Sequence, residues 1–449
     1  MASASEQMAR QFNWGGFGKA KDLKSRILFT LGALIIYRLG THIPVPGINP
    51  EILSGIFEQK SSGGILGVFD MFSGGALQRM AIFALNIMPY ISASIIVQLM
   101  GSVIPAMEQL KKEGEIGRRK MNQYTRYLTI LLAAIQGYGI AVGLENLTGT
   151  QGSAVFDPGM FFRVTTTVTL VGGTVFLMWL GEQITARGIG NGTSMIIFAG
   201  IVARLPEALV QTLELGKTGA ISTAVILLII AVIVAVIAFI VFMERAQRRI
   251  LVQYPKRQVG QKIFGGESTH LPLKLNTSGV IPPIFASSLL LLPMTIVGFS
   301  GNNSTGILAQ IASYVQHGQP LYMALYGALI IFFCFFYTSL VFNPKETAEN
   351  LRKAGGFVPG IKPGKNTADY LMFVLNRISV VGAAYITFIC LLPEFMINKF
   401  NIPFYLGGTG LLIAVTVTMD TVAQVHSYLI AHQYEGLMRK TRQKGSRRK

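Results

Sequence analysis

The feature that most constrains this chain is a series of ten apolar runs separated by polar connections. They cover residues 27–41, 77–104, 124–142, 161–184, 193–213, 220–243, 280–297, 321–342, 370–392 and 404–430. A hydrocarbon core of ~30 Å takes ~20 helical residues to cross, and most of the runs are long enough. The first is short and contains Arg38, and the second is interrupted by Pro89 and ended by Pro105. Lipid offers no partner to backbone N–H and C=O groups, which leaves helices or closed barrels. Runs this long and without alternation exclude barrel strands. With 51% hydrophobic and only 13% charged residues, the chain also lacks the ionic surface of a soluble fold this large. The reading is an all-α membrane protein with ten transmembrane helices.

The few charges are lopsided, with a net charge of +18. An excess of this sign suits an anionic partner, either phosphate-rich or an anionic lipid surface. Of 39 Lys and Arg residues, 31 lie on one side of the ten runs. The opposite side holds Lys60, Arg79, Arg163, Arg204, Lys217 and Lys399, while Arg38 and Arg377 fall within spans. By the positive-inside rule both termini are cytoplasmic. Residues 1–24 form a cytoplasmic segment, either amphipathic on the membrane surface or disordered, and residues 433–449 a basic tail. No small-residue cleavage site follows the first run, so no cleavable signal peptide is expected. Ten spans divide into five and five, over 25–214 and 220–432. An odd number per half inverts the second half relative to the first.

Chemistry-bearing constellations are scarce. The five histidines, His42, His270, His317, His426 and His432, form no ligand spacing, so no metal site is expected. Cys334 and Cys390 sit in apolar runs, which argues against a disulfide framework. Gly188-Ile-Gly-Asn-Gly192 lacks the spacing and preceding strand of a phosphate loop and reads as a tight turn. Asp420 is the one acid well inside a span, and Thr416, Thr418 and Thr421 beside it suggest an interhelical hydrogen bond. No nucleophile–base pair and no cofactor motif is visible, so an enzyme is not expected.

Two kinds of segment fit neither span nor short turn. Residues 63–75 read GGILGVFDMFSGG, an apolar stretch too short to cross, framed by glycine pairs. It is either a re-entrant half-helix packed on the bundle or a movable stopper hinged at Gly63-Gly64 and Gly74-Gly75. The connections 244–277 and 343–369 are long, basic and rich in Gly and Pro. Alternation in Arg249-Ile-Leu-Val-Gln-Tyr predicts a small β-ribbon there. Their charges either only set topology or also form a docking surface for RNA phosphates or an acidic protein.

Eight strings in order along the chain carry a family resemblance. They are HIPVPG at 42–47, MFSGGAL at 71–77, NIMPYISASIIVQL at 86–99 and KKEGEIGRRKMNQYTRY at 111–127. The others are MWLGEQITARGIGNGTSMIIFAGI at 178–201, STHLPLKLNTSGVIPPIFASS at 268–288, residues 342–364, and FYLGGTGLLI at 404–413. Together they resemble the SecY family of protein-conducting channels.

That resemblance implies two inverted five-helix halves, with a lateral gate between the second and seventh spans. By motif position the gate residues are Ser92, Ile95, Gln98, Pro282, Ser287 and Leu290. The implied pore ring is Ile87, Ile91, Thr193, Ile197, Ile284 and Ile413. The implied plug lies at Ile65, Leu66, Val68, Phe69, Met71, Phe72 and Ser73. Cytoplasmic docking falls to Arg248, Arg249, Lys256, Arg257, Lys262, Arg352, Lys353 and Lys362. The implied partners are SecE-like and SecG-like small membrane subunits, the SecA motor ATPase, the ribosome through its rRNA phosphates, signal sequences and nascent polypeptides. The implied location is the bacterial inner membrane. A branched aliphatic ring suits such a pore, because it deforms around a passing chain and dewets against ions. Two positions depart from the family pattern: Thr193 stands where an aliphatic residue is common, and Lys362 where Arg is usual. The alternative from another class is a secondary transporter with a five-plus-five inverted repeat.

Overall fold

The computed structural model describes residues 21–49, 52–53, 55, 70, 73–145, 148–149, 152–218, 222–254, 257–259, 262–264, 268–299, 319–400 and 408–446. Helix α1 (Lys21–Gly40) begins inside the expected N-terminal segment. There follow α2 (Met88–Val103), α3 (Pro105–Lys112), α4 (Glu115–Glu145), the short strands β1 (Thr148–Gly149) and β2 (Gly152–Ser153), and α5 (Met160–Arg187). Next come α6 (Gly192–Lys217), α7 (Thr223–Arg245), and strands β3 (Gln247–Gln253), β4 (Arg257–Val259), β5 (Lys262–Phe264) and β6 (Ser268–Lys274). The chain then runs through α8 (Ile281–Phe299), α9 (Pro320–Val341), α10 (Pro344–Lys353), α11 (Lys365–Phe400) and α12 (Gly408–Ser446). Among the described residues, six helices (α4 to α7, α9 and α11) are long and apolar enough to cross a membrane. The pair α2–α3, bent by 103°, makes a seventh if taken as one span. Helices α1, α8 and α12 cover the three remaining apolar runs.

The expected second span, 77–104, is corrected. Helix starts only at Met88, with Pro89 in its first turn, and residues 74–87 form an irregular run of turns. Met80 and Asn86 both carry positive φ, which interrupts a helix ladder. The backbone finds partners elsewhere: Val45 N donates to Met80 O at 2.9 Å and Ile82 N to Ile43 O at 2.9 Å. Leu77, Met80, Ala81, Leu85 and Ile87 are all buried, the condition for irregular backbone at membrane depth. Hydropathy reads burial alike for helix and turn, and so merged the two.

The chain divides into two compact units, one of Met1–Gln59, Phe69–Arg204 and Val417–Lys449, the other of Lys60–Val68 and Leu205–Thr416. In the first, α4 and α5 pack along their length and are pinned at both ends by ion pairs. Arg126 forks onto Glu182 at 2.8 and 2.7 Å, and Arg163 meets Glu145 at 2.6 Å. The helical rise from Arg126 to Glu145 is ~28 Å at 1.5 Å per residue. That matches the hydrocarbon thickness, so the ionic groups fall at its two boundaries. Gly188–Gly192 is the tight turn between α5 and α6, where a Cβ on Gly192 would lie 1.8 Å from Gly181 O. Its amides are satisfied from afar: Ile189 N donates to Thr30 Oγ1 and Gly190 N to Gln424 Oε1. Asp420, expected in an interhelical hydrogen bond, stands exposed, and its neighbour Thr421 donates to Val417 O at 2.7 Å.

In the second unit, α9 lies between α8 and α11, and Phe285 of α8 meets Phe333 of α9 edge-on at 5.7 Å. The expected ribbon is present: β3 pairs antiparallel with β6, Ile250 opposite Leu271, and β4 with β5. Cys334 and Cys390 are buried free thiols.

Candidate functional site

The implied site residues fall on a small set of helices. Ile87 and Ile91, at the start of α2, are buried, as is Ile197 on α6. In the second unit Ile413 is buried and Ile284 half-buried. Gate positions Ser92, Ile95, Pro282 and Ser287 are buried, and Gln98 and Leu290 half-buried. Gln98 donates to Ser94 Oγ at 3.0 Å, and Ser287 to Ile284 O at 3.0 Å. Of the plug positions only Ser73 is described; Ile65, Leu66, Val68, Phe69, Met71 and Phe72 lie outside the described residues.

Thr193, the polar member of the implied ring, has a structural explanation. Asn191 Oδ1 accepts from the backbone N–H groups of Thr193 and Ser194, capping α6. The Thr193 hydroxyl donates to that same oxygen at 2.6 Å. The departure from an aliphatic residue is therefore part of a helix cap.

Downstream on α6, the spacing Thr193, Ile197, Gly200, Arg204 repeats at four, three and four residues, which places all four on one helical face. That face holds the end of the 63–75 segment. A Cβ on Gly74 would lie 3.0 Å from Gly200 Cα, and one on Gly75 3.1 Å from the Arg204 guanidinium. Both glycines have positive φ, so close approach and backbone conformation each require glycine here. Arg204 pairs with Asp70 and donates to Gln78 Oε1 at 3.0 Å. Asp70 Oδ1 also accepts from Gln78 N at 2.8 Å, while Arg38 of α1 donates to Gly74 O at 2.8 Å. These polar contacts escaped the reading of the sequence, in which Arg204 counted only as an opposite-side charge. One signal was available: Asp70 is the sole ionic residue of 63–75.

The two basic connections form one platform. Gln253 of β3 exchanges backbone hydrogen bonds with Phe357, at 2.9 and 3.0 Å. Ile250, Leu273, Ala348, Val358, Ala368, Leu371 and Ile378 share a core beneath. Above it, Arg248, Arg249, Arg352, Lys353 and Lys362 are exposed. Lys256 lies outside the described residues; Arg257 and Lys262 lie in β4 and β5, their side chains outside the description. Asn343 caps α10, accepting from Lys345 N and Glu346 N.

The platform is joined to α8 by a buried polar knot. Asn276 donates to Glu244 Oε1 at 2.6 Å and to Gly279 O at 3.1 Å, and accepts from Gly279 N and the Ser278 hydroxyl. Asn276→Ala removes all four and takes one donor from a buried carboxylate of α7. At ~1–3 kcal/mol for a buried group left unsatisfied, it should lower the thermal midpoint of the detergent-solubilised chain. Hydrogen exchange should quicken first at Gly279 and the start of α8; uniform protection would show the knot to be dispensable.

A sequence model of the SecY family matches residues 81–422. The chain belongs to the SecY family. The protein translocase subunit SecY of Rickettsia felis is 56% identical over 423 residues, covering 94% of this chain and 97% of that protein. Two solved structures share the fold. One is a SecY protein whose plug domain is described as stabilizing the closed state of the channel and maintaining a membrane seal. It matches with a TM-score of 0.66 at 19% identity, covering 90% of this chain and 92% of that one. The other is Sec61 in the canine ribosome–channel complex, with a TM-score of 0.62 at 19% identity over the same shares. The six described helices long and apolar enough to cross a membrane agree with a multi-pass SecY-family protein. Among the described residues no three His, Cys, Asp or Glu side chains converge as a metal site would require.

Proposed function

We propose that this chain is the channel through which unfolded secretory polypeptides cross a bacterial inner membrane, and from which transmembrane segments leave sideways into lipid. The observation that carries this reading is SecY kinship over nearly the whole chain. Nothing in that kinship favours the transporter alternative. The ten helical runs act as two inverted halves, with both termini cytoplasmic. Ile87, Ile91, Thr193, Ile197, Ile284 and Ile413 form the constriction, and residues 65–73 the plug. The gate parts between α2, at Ser92, Ile95 and Gln98, and α8, at Pro282, Ser287 and Leu290. An apolar segment that slides out between them gains ~20–33 cal/mol per Å² of surface removed from water. The chain carries no motor of its own. Its basic platform takes a SecA-type ATPase or the rRNA phosphates of a ribosome, and small SecE-like and SecG-like subunits brace the halves. Anionic lipid headgroups neutralise the remaining cytoplasmic charge.

Reconstitution tests this directly. Purified chain with its small subunits, in vesicles, should import a signal-bearing preprotein only when the SecA motor and ATP are present. Reversing Arg249, Arg352 and Lys362 to Glu should weaken motor and ribosome binding at least tenfold and flatten its salt dependence. The thermal midpoint should barely move, because exposed substitutions of this kind shift stability by ~0.5 kcal/mol or less. Uptake of a small solute down an ion gradient, with no preprotein import, would sink the reading.

A further inference from the structure

We infer that Asp70 and Arg204 form a charge latch that holds the base of the plug on the ring-bearing face of α6 and so sets how strong a signal sequence opens the channel. The inference rests on the channel-and-plug reading above and adds to it the residues that resist opening.

An ionic pair inside an apolar bundle is costly to keep and marks a working part. Here both partners are largely withdrawn from water, the Arg204 side chain 19% exposed and that of Asp70 8%. They are 134 positions apart, so the pair ties two separate segments together. Asp70 is bound at both oxygens, one to Arg204 and one to Gln78 N. Arg204 in turn reaches Gln78 Oε1, which closes a ring of three residues through the Gln78 backbone N–H and side-chain amide. Around it the base is gripped at the backbone: Arg38 holds Gly74 O, Tyr37 Oη donates to Ser73 O at 3.3 Å, and Ser73 Oγ donates to Asp70 O at 3.1 Å. Those contacts are neutral or use carbonyl acceptors. Of the contacts named here, Asp70–Arg204 is the one that sets two full charges against each other, and parting it separates them in a poorly hydrated place.

Position on α6 turns this anchor into a latch. Arg204 shares its face with Ile197, one helical stretch of ~10 Å away at 1.5 Å per residue. Gly200, between them, is the residue on which Gly74 rests. Lifting the plug's base off that face separates Asp70 from Arg204 and clears Gly200 in the same movement. Ring and plug therefore yield together, against an electrostatic threshold. An arriving polypeptide must supply that threshold from its own binding to the gate, and a weaker signal sequence supplies less.

The test uses the reconstituted complex in planar bilayers for resting ion conductance, and in vesicles for import of a preprotein with an intact or a defective signal sequence. Asp70→Asn and Arg204→Gln should each raise resting conductance at least tenfold and admit the defective preprotein. The charge swap, Asp70→Arg with Arg204→Asp, should return both measures to within about threefold of the parent. Should a single neutral variant fail to fold, Arg204→Lys carries the test: it keeps the charge, loses the planar guanidinium whose Nη2 serves both Asp70 and Gln78, and should leak to an intermediate degree. Single variants at parental conductance, with a variant lacking residues 65–73 that leaks, overturn the latch and spare the plug. A silent deletion overturns both. Raised conductance that the swap does not restore assigns the effect to packing and overturns the charge latch.

Discussion

Gly173→Ala should unfold this chain far more readily than the parent, while Gly172→Ala, one residue earlier on α5, should leave it intact or slightly firmer. The two glycines differ only in what surrounds them. A Cβ on Gly172 meets nothing within 4 Å. Alanine there gains helix propensity, worth ~0.5–1 kcal/mol over glycine. A Cβ on Gly173 would lie 2.1 Å from the Ile82 carbonyl oxygen and 3.3 Å from the Phe83 ring. Main chain has no rotamer with which to retreat, so the cost belongs at the upper end of the ~1–3 kcal/mol usual for overpacking, or beyond it. Displacement would spread, because Phe83 is stacked between Tyr37 of α1 and Phe176 of α5 and sits where a Cβ on Gly40 would be. The irregular stretch 74–87, which carries the base of the proposed plug and leads into α2, is thus wedged between α1 and α5. Heating purified variants in detergent and counting the monodisperse fraction decides the matter. If both variants melt alike, the close approach of α5 to Ile82 is wrong.

Residue pattern alone carries most of the architecture, and the reasons are physical. Membrane spans declare themselves because the bilayer demands local apolarity, and a run such as Thr223–Arg245 admits no other environment. The ribbon is equally local: Ile250 and Val252 point in and Leu251 and Gln253 out, an alternation written in consecutive residues. What stayed hidden depends on pairs distant in sequence. Asp70 and Arg204 have no common local pattern, and neither do Gln253 and Phe357, whose pairing fuses two basic connections into one platform. The turns at 74–87 stayed hidden for another cause. Buried irregular backbone there is as apolar as helix, and the positive φ of Met80 and Asn86, which separates them, leaves no mark in hydropathy. The ring and gate positions came from family resemblance, since aliphatic residues on buried helix faces carry no mark of a pore by themselves.

Polar substitutions in the ring give the second large expected effect. Replacing Ile91 and Ile197 together by Asn should raise resting ion conductance about ten- to a hundredfold. A narrow aliphatic constriction excludes ions because water in it lacks hydrogen-bond partners. Each amide restores such partners at ~0.5–1.5 kcal/mol, and two amides lower the barrier by ~1–3 kcal/mol. Every ~1.4 kcal/mol is tenfold in rate. Ile197→Leu, of equal volume and polarity, should conduct as the parent does. Thr193 is the informative contrast, because it already carries a hydroxyl in the same proposed ring. That hydroxyl is bound to Asn191 Oδ1 at 2.6 Å and is not offered to pore water. Thr193→Val should therefore leave conductance unchanged. Asn191→Ala should instead free the Thr193 hydroxyl, raise conductance severalfold, and cost α6 the ~1 kcal/mol of its cap. A severalfold fall in conductance on Thr193→Val would mean that the hydroxyl wets the pore after all, and that the cap does not govern the ring.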